Sequence, residues 1–405
     1  MTELRLAFAP TDGDDMTFND LIDRRGTDST KWDKMERLYG VSPDDGIAMW
    51  VADMDFRAAP PVLNRMKSLL DHGLFGYTNL DQPYRDAICW WMRTRHNWAV
   101  DAEAIFTTTG LVNGVGMCID TFTAPGDGVV VFSPVYHAFA RVIRSAGRAL
   151  VECQLVASDG RYEMDFDAYD QQMTGREKMV ILCSPHNPGG RVWTQQELQA
   201  VADFAKRHDL LLLSDEVHHD LVFPGNTHIT MQNAAPDITD RLLMLTSPSK
   251  TFSIAGLHTG QVIIPDPTLR GKFAKRMQAL SLEGNSVGQY ATMAVYSPEG
   301  ATWADELVTY IDGNRQLFDA AIADIPGLRS MPLEATYLAW VDFADTGMDR
   351  AEFTNRVEQT ARIAANHGTS FGTGGESFLR FNLGTQRARV EEACARLKAA
   401  FGDLQ

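Results

Sequence analysis

The sequence is poor in cysteine. Its five, Cys89, Cys118, Cys153, Cys183 and Cys394, are scattered through 405 residues and never form a CxxC pair. That excludes a disulfide framework and a zinc ribbon and fits a reducing compartment. Long apolar runs are also missing, since no stretch approaches the roughly 18 residues a membrane-spanning helix needs. Residues 1–20 lack the basic start and apolar block of a secretory signal, so a cytoplasmic location is expected. Basic residues are in deficit: 37 Lys and Arg against 53 Asp and Glu leave a net charge of −16. A polyanionic backbone would be repelled, and no nucleic-acid partner is expected. There is no internal repeat and no low-complexity segment. What is present, 44% hydrophobic and 22% charged residues, is the balance of a folded soluble chain long enough for two or three structural units.

Short apolar runs bounded by turn residues alternate with amphipathic stretches through the middle of the chain, the pattern of an α/β fold with a mostly parallel sheet between helices. Strands are expected at 128–132, 149–155, 179–183, 210–214, 242–246 and 260–264, each bulk-apolar like a strand buried on both faces. Thr194 and Glu197 have the spacing of a capping box opening a helix to residue 207. After about residue 288 the pattern changes to long helices at 302–323 and 349–365 with two strand-like runs, 337–341 and 378–383, which reads as a smaller α+β domain. The first 55 or so residues have little periodicity and are expected to wrap the surface and join it.

Ligands in open α/β sheets bind beyond the strand ends. Four such positions carry polar clusters: TTTGLVNGVG (107–116), SPHNPGGR (184–191), SDEVHHD (214–220) and TSPSKTF (246–252). The first follows a strand and opens an apolar helix, so the free N–H groups after Gly110 offer a phosphate seat, although glycines for tight packing would look the same. The third offers carboxylates and imidazoles within one turn, but its spacing is not HExxH and no partner cluster lies nearby in sequence, so no metal is expected. Asp215 instead ends a buried strand, with its charge met by backbone or water, or by a cationic ring nitrogen of a cofactor that His218 also reaches. Lys250 follows a buried strand among small hydroxyl residues. A lysine buried there has a lowered pKa and becomes a nucleophile able to form a Schiff base; a lysine snorkelling to solvent is the plain alternative.

Asn187, Asp215, Ser247 and Lys250 occur in the order and approximate spacing of fold-type I pyridoxal-phosphate enzymes, the aspartate aminotransferase superfamily. The segments WVADMDF (50–56), FGYT (75–78), LVNGV (111–115), SPVYHAF (133–139), SPHNPGGRVW (184–193), SDEVHHD, PSKTFSIAGL (248–257), ATYLAW (335–340) and GGESFLRFN (374–382) resemble the cystathionine β-lyase or cysteine-S-conjugate β-lyase branch. The resemblance implies a large domain at 57–292 with a mostly parallel, seven-stranded-type sheet, and a small domain from 1–56 and 293–405. It implies pyridoxal 5'-phosphate as cofactor, carried by Lys250, which then moves the substrate's Cα proton. Asp215 would pair with the pyridinium nitrogen, Asn187 and His218 would hold the phenolic oxygen, and Tyr136 would stack on the ring. Gly110, Leu111, Val112, Ser247 and Ser249 would hold the phosphate with Tyr77 of the partner subunit, in a homodimer with shared active sites. Arg380 would grip the substrate carboxylate, with Asn187 and His137 also at the substrate. A cis bond before Pro188 is implied as well.

Two positions depart from the family pattern. His137 stands where many β-lyases of this branch carry a second tyrosine, and His258, eight residues beyond Lys250, stands where classical aminotransferases have a phosphate-binding arginine. The expected activity is α,β-elimination of cystathionine or related cysteine S-conjugates, an amino-acid substrate class, to pyruvate, ammonia and a thiol. An aminotransferase of the same fold, or a pyridoxal-phosphate-bound regulatory protein, are the alternatives.

Overall fold

The structure is a computed structural model that describes residues 17–158 and 160–404. Its largest sheet has seven strands in the order Ile105–Thr108, Gly260–Ile263, Leu242–Thr246, Leu211–Asp215, Glu177–Cys183, Gly128–Ser133 and Ala149–Gln154. All neighbours run parallel except Gly260–Ile263, which is antiparallel to both of its own. Alternate residues of the central strands enter two different cores: Val130, Val180, Leu212 and Met244 on one face, Val131, Ile181, Leu213 and Leu245 on the other. Burial on both faces is why these strands read as apolar runs rather than alternating ones.

Helices cover both faces. Gln195–Arg207 begins with the expected capping box, Thr194 accepting from the Glu197 N–H and Glu197 from the Thr194 N–H. Leu111–Phe122 begins after Gly110, whose φ of 96° is a conformation that favours glycine, and has no side-chain cap.

A second sheet has five strands, ordered Ile47–Met49, Ile363–His367, Phe378–Asn382, Leu338–Asp342 and Arg329–Ser330. Ile47–Met49 pairs in parallel with Ile363–His367, tying the start of the described chain to its end. Helices Pro298–Ala323 and Arg387–Ala400 pack on this sheet through Leu307, Ile311, Phe318, Val390 and Leu397.

Two sequence expectations are corrected here, and one falls outside the described residues. Residues 349–365 are not one helix: Arg350–Asn355 is α-helical, Arg356–Thr360 makes a π turn, and Ile363–His367 is a strand. Arg362, at a φ of 57°, turns the chain out of the helix. The region after residue 288 holds four strands rather than two, because Arg329–Ser330 and Ile363–His367 are too short or too uniformly buried to show a period. Residues 1–16, expected to join the smaller unit, lie outside the described residues. No helix among the described residues is long and apolar enough to cross a membrane.

Candidate active site

The C-terminal ends of five parallel-sheet strands converge on one cavity of about 290 Å³, lined among others by Gly110, Leu111, Val112, Tyr136, Asn187, Asp215, His218, Ser249 and Lys250. Each residue is there because a strand stops. Gly110 follows Ile105–Thr108, Tyr136 follows Gly128–Ser133, and Asn187 follows Glu177–Cys183. Asp215 is the last residue of its strand, and Lys250 lies four residues past Leu242–Thr246. The Asn187–Pro188 bond is cis as expected, and so are Ser184–Pro185 and Ser133–Pro134.

Asp215 accepts from the Val217 N–H at 3.1 Å. Burial pushes its carboxyl up to about 7, against that hydrogen bond and the nearby Lys250. The Lys250 amine donates to the Ala52 carbonyl at 2.7 Å. Burial brings it down to about 8, with Asp53 and Asp215 opposing the shift and Arg380 adding to it. His218 is fully enclosed and held well below the usual imidazole range by burial, Lys250 and Arg380. Tyr136 is raised, chiefly by burial. The charged groups here are under-compensated: the site as it stands holds a lysine and an aspartate both pushed toward neutrality.

Arg380 projects from Phe378–Asn382 of the second sheet and bridges to the first. Its guanidinium donates to Asn187 Oδ1 at 2.9 Å, to the Trp50 carbonyl at 2.7 Å and to Asn366 Oδ1. It also lies over the Phe371 ring at 4.9 Å. Burial lowers it to about 10.

Four expected site residues are not on the cavity wall in this chain: Arg380, which reaches the wall through its hydrogen bond to Asn187, and Ser247, His137 and Tyr77. Ser247 is fully buried beneath the wall, its hydroxyl donating to the Thr259 carbonyl at 2.7 Å and accepting from the Ser249 N–H at 3.1 Å. His137 begins helix His137–Ser145, its ring 4.9 Å from Tyr136 and 5.8 Å from Phe371. Burial and then Arg380 and Arg141 lower it to about 4, so it is a neutral imidazole at pH 7. Tyr77 is fully exposed beside the exposed Leu74 and Phe75 and lines a different cleft with Tyr84 and Glu283.

Sequence reasoning named residues 50–56 as a motif but gave them no role. Their backbone carbonyls are the anchor: Arg380 holds that of Trp50, Asn382 those of Val51 and Asp53, and Lys250 that of Ala52. Backbone acceptors carry no signature in side-chain identity. Cys183, Thr109, Asn113 and His258 also line the cavity; of these, only His258 had been singled out.

A phosphorylated pyridine fits this donor set. Among the described residues His218 Nδ1 and Arg380 Nε are buried with no hydrogen-bond partner, and the helix at Leu111 presents uncapped N–H groups to the cavity. A Cβ on Gly260 would stand 3.0 Å from both the Gly110 carbonyl carbon and the Leu111 nitrogen, so glycine there lets the strand approach this cradle.

A family profile described as aminotransferase class I and II matches residues 47–397. Cystathionine beta-lyase PatB of Bacillus subtilis is 39% identical over 388 residues, 95% of this chain and 100% of that protein. Among solved structures, cystalysin from Treponema denticola, which contains a pyridoxal 5'-phosphate cofactor, superposes with a TM-score of 0.91 at 34% identity, covering 96% of this chain and 99% of that one. The pyridoxal-phosphate-bound C–S lyase from Staphylococcus hominis gives 0.87 at 28% identity, covering 95% and 98%.

Proposed function

The chain belongs to the class I and II aminotransferase family, which has the aspartate aminotransferase-like fold, and from that premise we infer that it is a pyridoxal-phosphate-dependent carbon–sulfur β-lyase. It converts cystathionine or related cysteine S-conjugates to pyruvate, ammonia and a thiol. The observation that carries the reading is the single cavity in which an enclosed lysine amine, a strand-end aspartate, an unpartnered imidazole nitrogen and an uncapped helix N-terminus meet. The named similarity to β-lyases selects among the chemistries that this arrangement can serve.

Bound pyridoxal phosphate supplies an electron sink for the carbanion left when the substrate's Cα proton is removed. Lys250 would hold the cofactor covalently, and Asp215 would keep its ring nitrogen protonated, which also returns the strained carboxyl to its charged form. Asn187 and His218 would turn donors toward the ring oxygen, and Tyr136 would lie against the ring. The N–H groups of Leu111 and Val112 beyond Gly110 would take the phosphate with the Ser249 hydroxyl, joined by Ser247 once its hydroxyl turns from the Thr259 carbonyl, and by Tyr77 of the partner subunit. Arg380, braced by Asn187 and Trp50, would receive the substrate carboxylate. Lys250, with an amine near 8, is able to take the Cα proton at neutral pH. A thiolate then departs from Cβ readily, since its conjugate acid has a pKa of about 8.5. His137, held neutral, would border the leaving group as a packing and acceptor surface rather than an acid.

The same proposal covers the domain division at 57–292 against 1–56 with 293–405, supported by strands from both ends of the chain meeting in the second sheet. It covers the homodimer, supported by exposed Leu70, Leu74, Phe75 and Tyr77 on one stretch of chain, and a cytoplasmic location, supported by five free cysteines. The test is a panel of cystathionine, cystine, cysteine and alanine, with and without a keto acid. Pyruvate from a thioether without keto acid is expected. Turnover that needs the keto acid would favour the aminotransferase reading, and no turnover on any thioether would overturn the lyase.

A further inference from the structure

The SDEVHHD segment keeps three groups that the proposed chemistry does not use: Glu216, His219 and Asp220. The fold brings two more imidazoles to them, His96 from a remote helix and His228 from the loop that follows the segment. His96 ends helix Asp81–His96, and its Nε2 is 2.8 Å from Asp220 Oδ1. His228 Nε2 is 2.9 Å from Glu216 Oε2, and His219 Nε2 is 3.3 Å from Asp220 Oδ2. The His96 and His219 rings stack at 4.0 Å. Two triads result, His96–His219–Asp220 and Glu216–His219–His228, each with donor atoms all within 4.8 Å of one another and with His219 common to both.

We propose that this cluster is a binding site for one divalent transition-metal ion of the zinc class, centred on His219, on the far side of the strand end that carries Asp215. Three lines of geometry converge on it. The donors are already gathered: ligands about 2.0–2.2 Å from a tetrahedral zinc lie about 3.4 Å apart, so small side-chain shifts suffice. The charge is right, because the carboxylates of Glu216 and Asp220 are wholly buried and, among the described residues, their ion-pair partners are imidazoles only. A 2+ ion would neutralise both. There is also an entry path, a cleft of about 370 Å³ lined by His96, His219, Asp220 and His228.

An outer shell holds the ligands in place, as such sites require. Asp220 accepts from Trp91 Nε1 at 3.1 Å and Thr251 Oγ1 at 3.0 Å. Glu216 accepts from Ser214 Oγ at 2.9 Å and the Met231 N–H at 2.8 Å. Thr246 Oγ1 lies 3.2 Å from His219 Nε2. Imidazole-rich donors select zinc or cobalt over magnesium or calcium, which prefer all-oxygen sites. Because Glu216 follows Asp215, His219 follows His218 and Thr251 follows Lys250, an ion here braces the turns that carry the catalytic groups without touching the substrate.

The inference does not rest on the lyase reading. Holoenzyme is treated with EDTA, desalted, titrated with zinc chloride or cobalt chloride, desalted again and measured by elemental analysis and thermal unfolding. About one zinc per chain is expected, with a raised melting temperature and, for cobalt, d–d absorption of a site with nitrogen ligands. Magnesium chloride is expected to give neither. His219→Ala should abolish retention, and His228→Gln and His96→Gln should each weaken it at least tenfold. His228→Gln, at the cleft, serves if His219→Ala does not fold. No retained zinc, or retention unchanged in the folded variants, would mean the cluster is a hydrogen-bond network alone and would overturn the proposal.

Discussion

At the scale of single residues the site is held together by charges that the chain alone does not satisfy. Asp215 carries the largest consequence. Its folded pKa of about 7 stands above its ordinary 3.8, so the folded chain binds the extra proton more tightly than the unfolded chain does. A raised pKa contributes stability that is present below 3.8 and is lost as pH rises through about 7, a loss of order 4 kcal/mol from the shift. Cofactor-free protein should therefore become easier to melt between about pH 4 and pH 7, and Asp215→Asn should flatten that decline while weakening cofactor retention. An unchanged melting profile in the variant would exclude the buried carboxyl as its source. Arg380→Lys keeps a charge but loses the fork that reaches Asn187 and Trp50 together. A loss of roughly 10- to 100-fold in kcat/KM, mostly in KM, is expected from charged hydrogen bonds worth about 1.5–3 kcal/mol; steady-state kinetics checks it.

At the scale of elements, what was legible in the sequence follows what was periodic or polar out of place. The two-face burial of the central strands wrote itself as apolar runs, and the strand-end clusters stood out because Lys250 and Asp215 are unusual neighbours for such runs. The strand Ile363–His367 was misread because the residues before it are helical in pattern and its partner Ile47 is over three hundred residues away. His96 was invisible beside SDEVHHD for the same reason, that tertiary proximity has no local trace. The segment at 50–55 shows how a motif can be visible while its role is not. Besides the active-site donors, it is gripped by Lys31, which donates to the Asp53 carbonyl at 2.9 Å and pairs with Asp55 at 2.7 Å, both side chains almost wholly buried. Lys31→Met leaves Asp55 with Arg24 as its one ion-pair partner among the described residues and should cost about 3–5 kcal/mol in denaturant unfolding. A loss below about 1 kcal/mol would mean the pair is not what holds the strap.

At the scale of the whole molecule, the second sheet reaches the cavity through Arg380, bonded to the wall residue Asn187, and through Ala52, which lines it and accepts from Lys250. Tyr77, proposed to reach the phosphate from the partner subunit, is fully exposed in its own chain and lines a different cleft. A dimer in sedimentation, with Tyr77→Phe lowering cofactor retention and leaving the dimer intact, is the expected outcome. A monomer that retains the cofactor as well as wild type would contradict the shared site.

The most direct measurement of the central claim is the product stoichiometry from cystathionine with no keto acid present. The account predicts pyruvate, ammonia and thiol in equal amounts, all lost in Lys250→Ala. Ammonia-free turnover that appears only when a keto acid is added, or elimination that persists without Lys250, would contradict it.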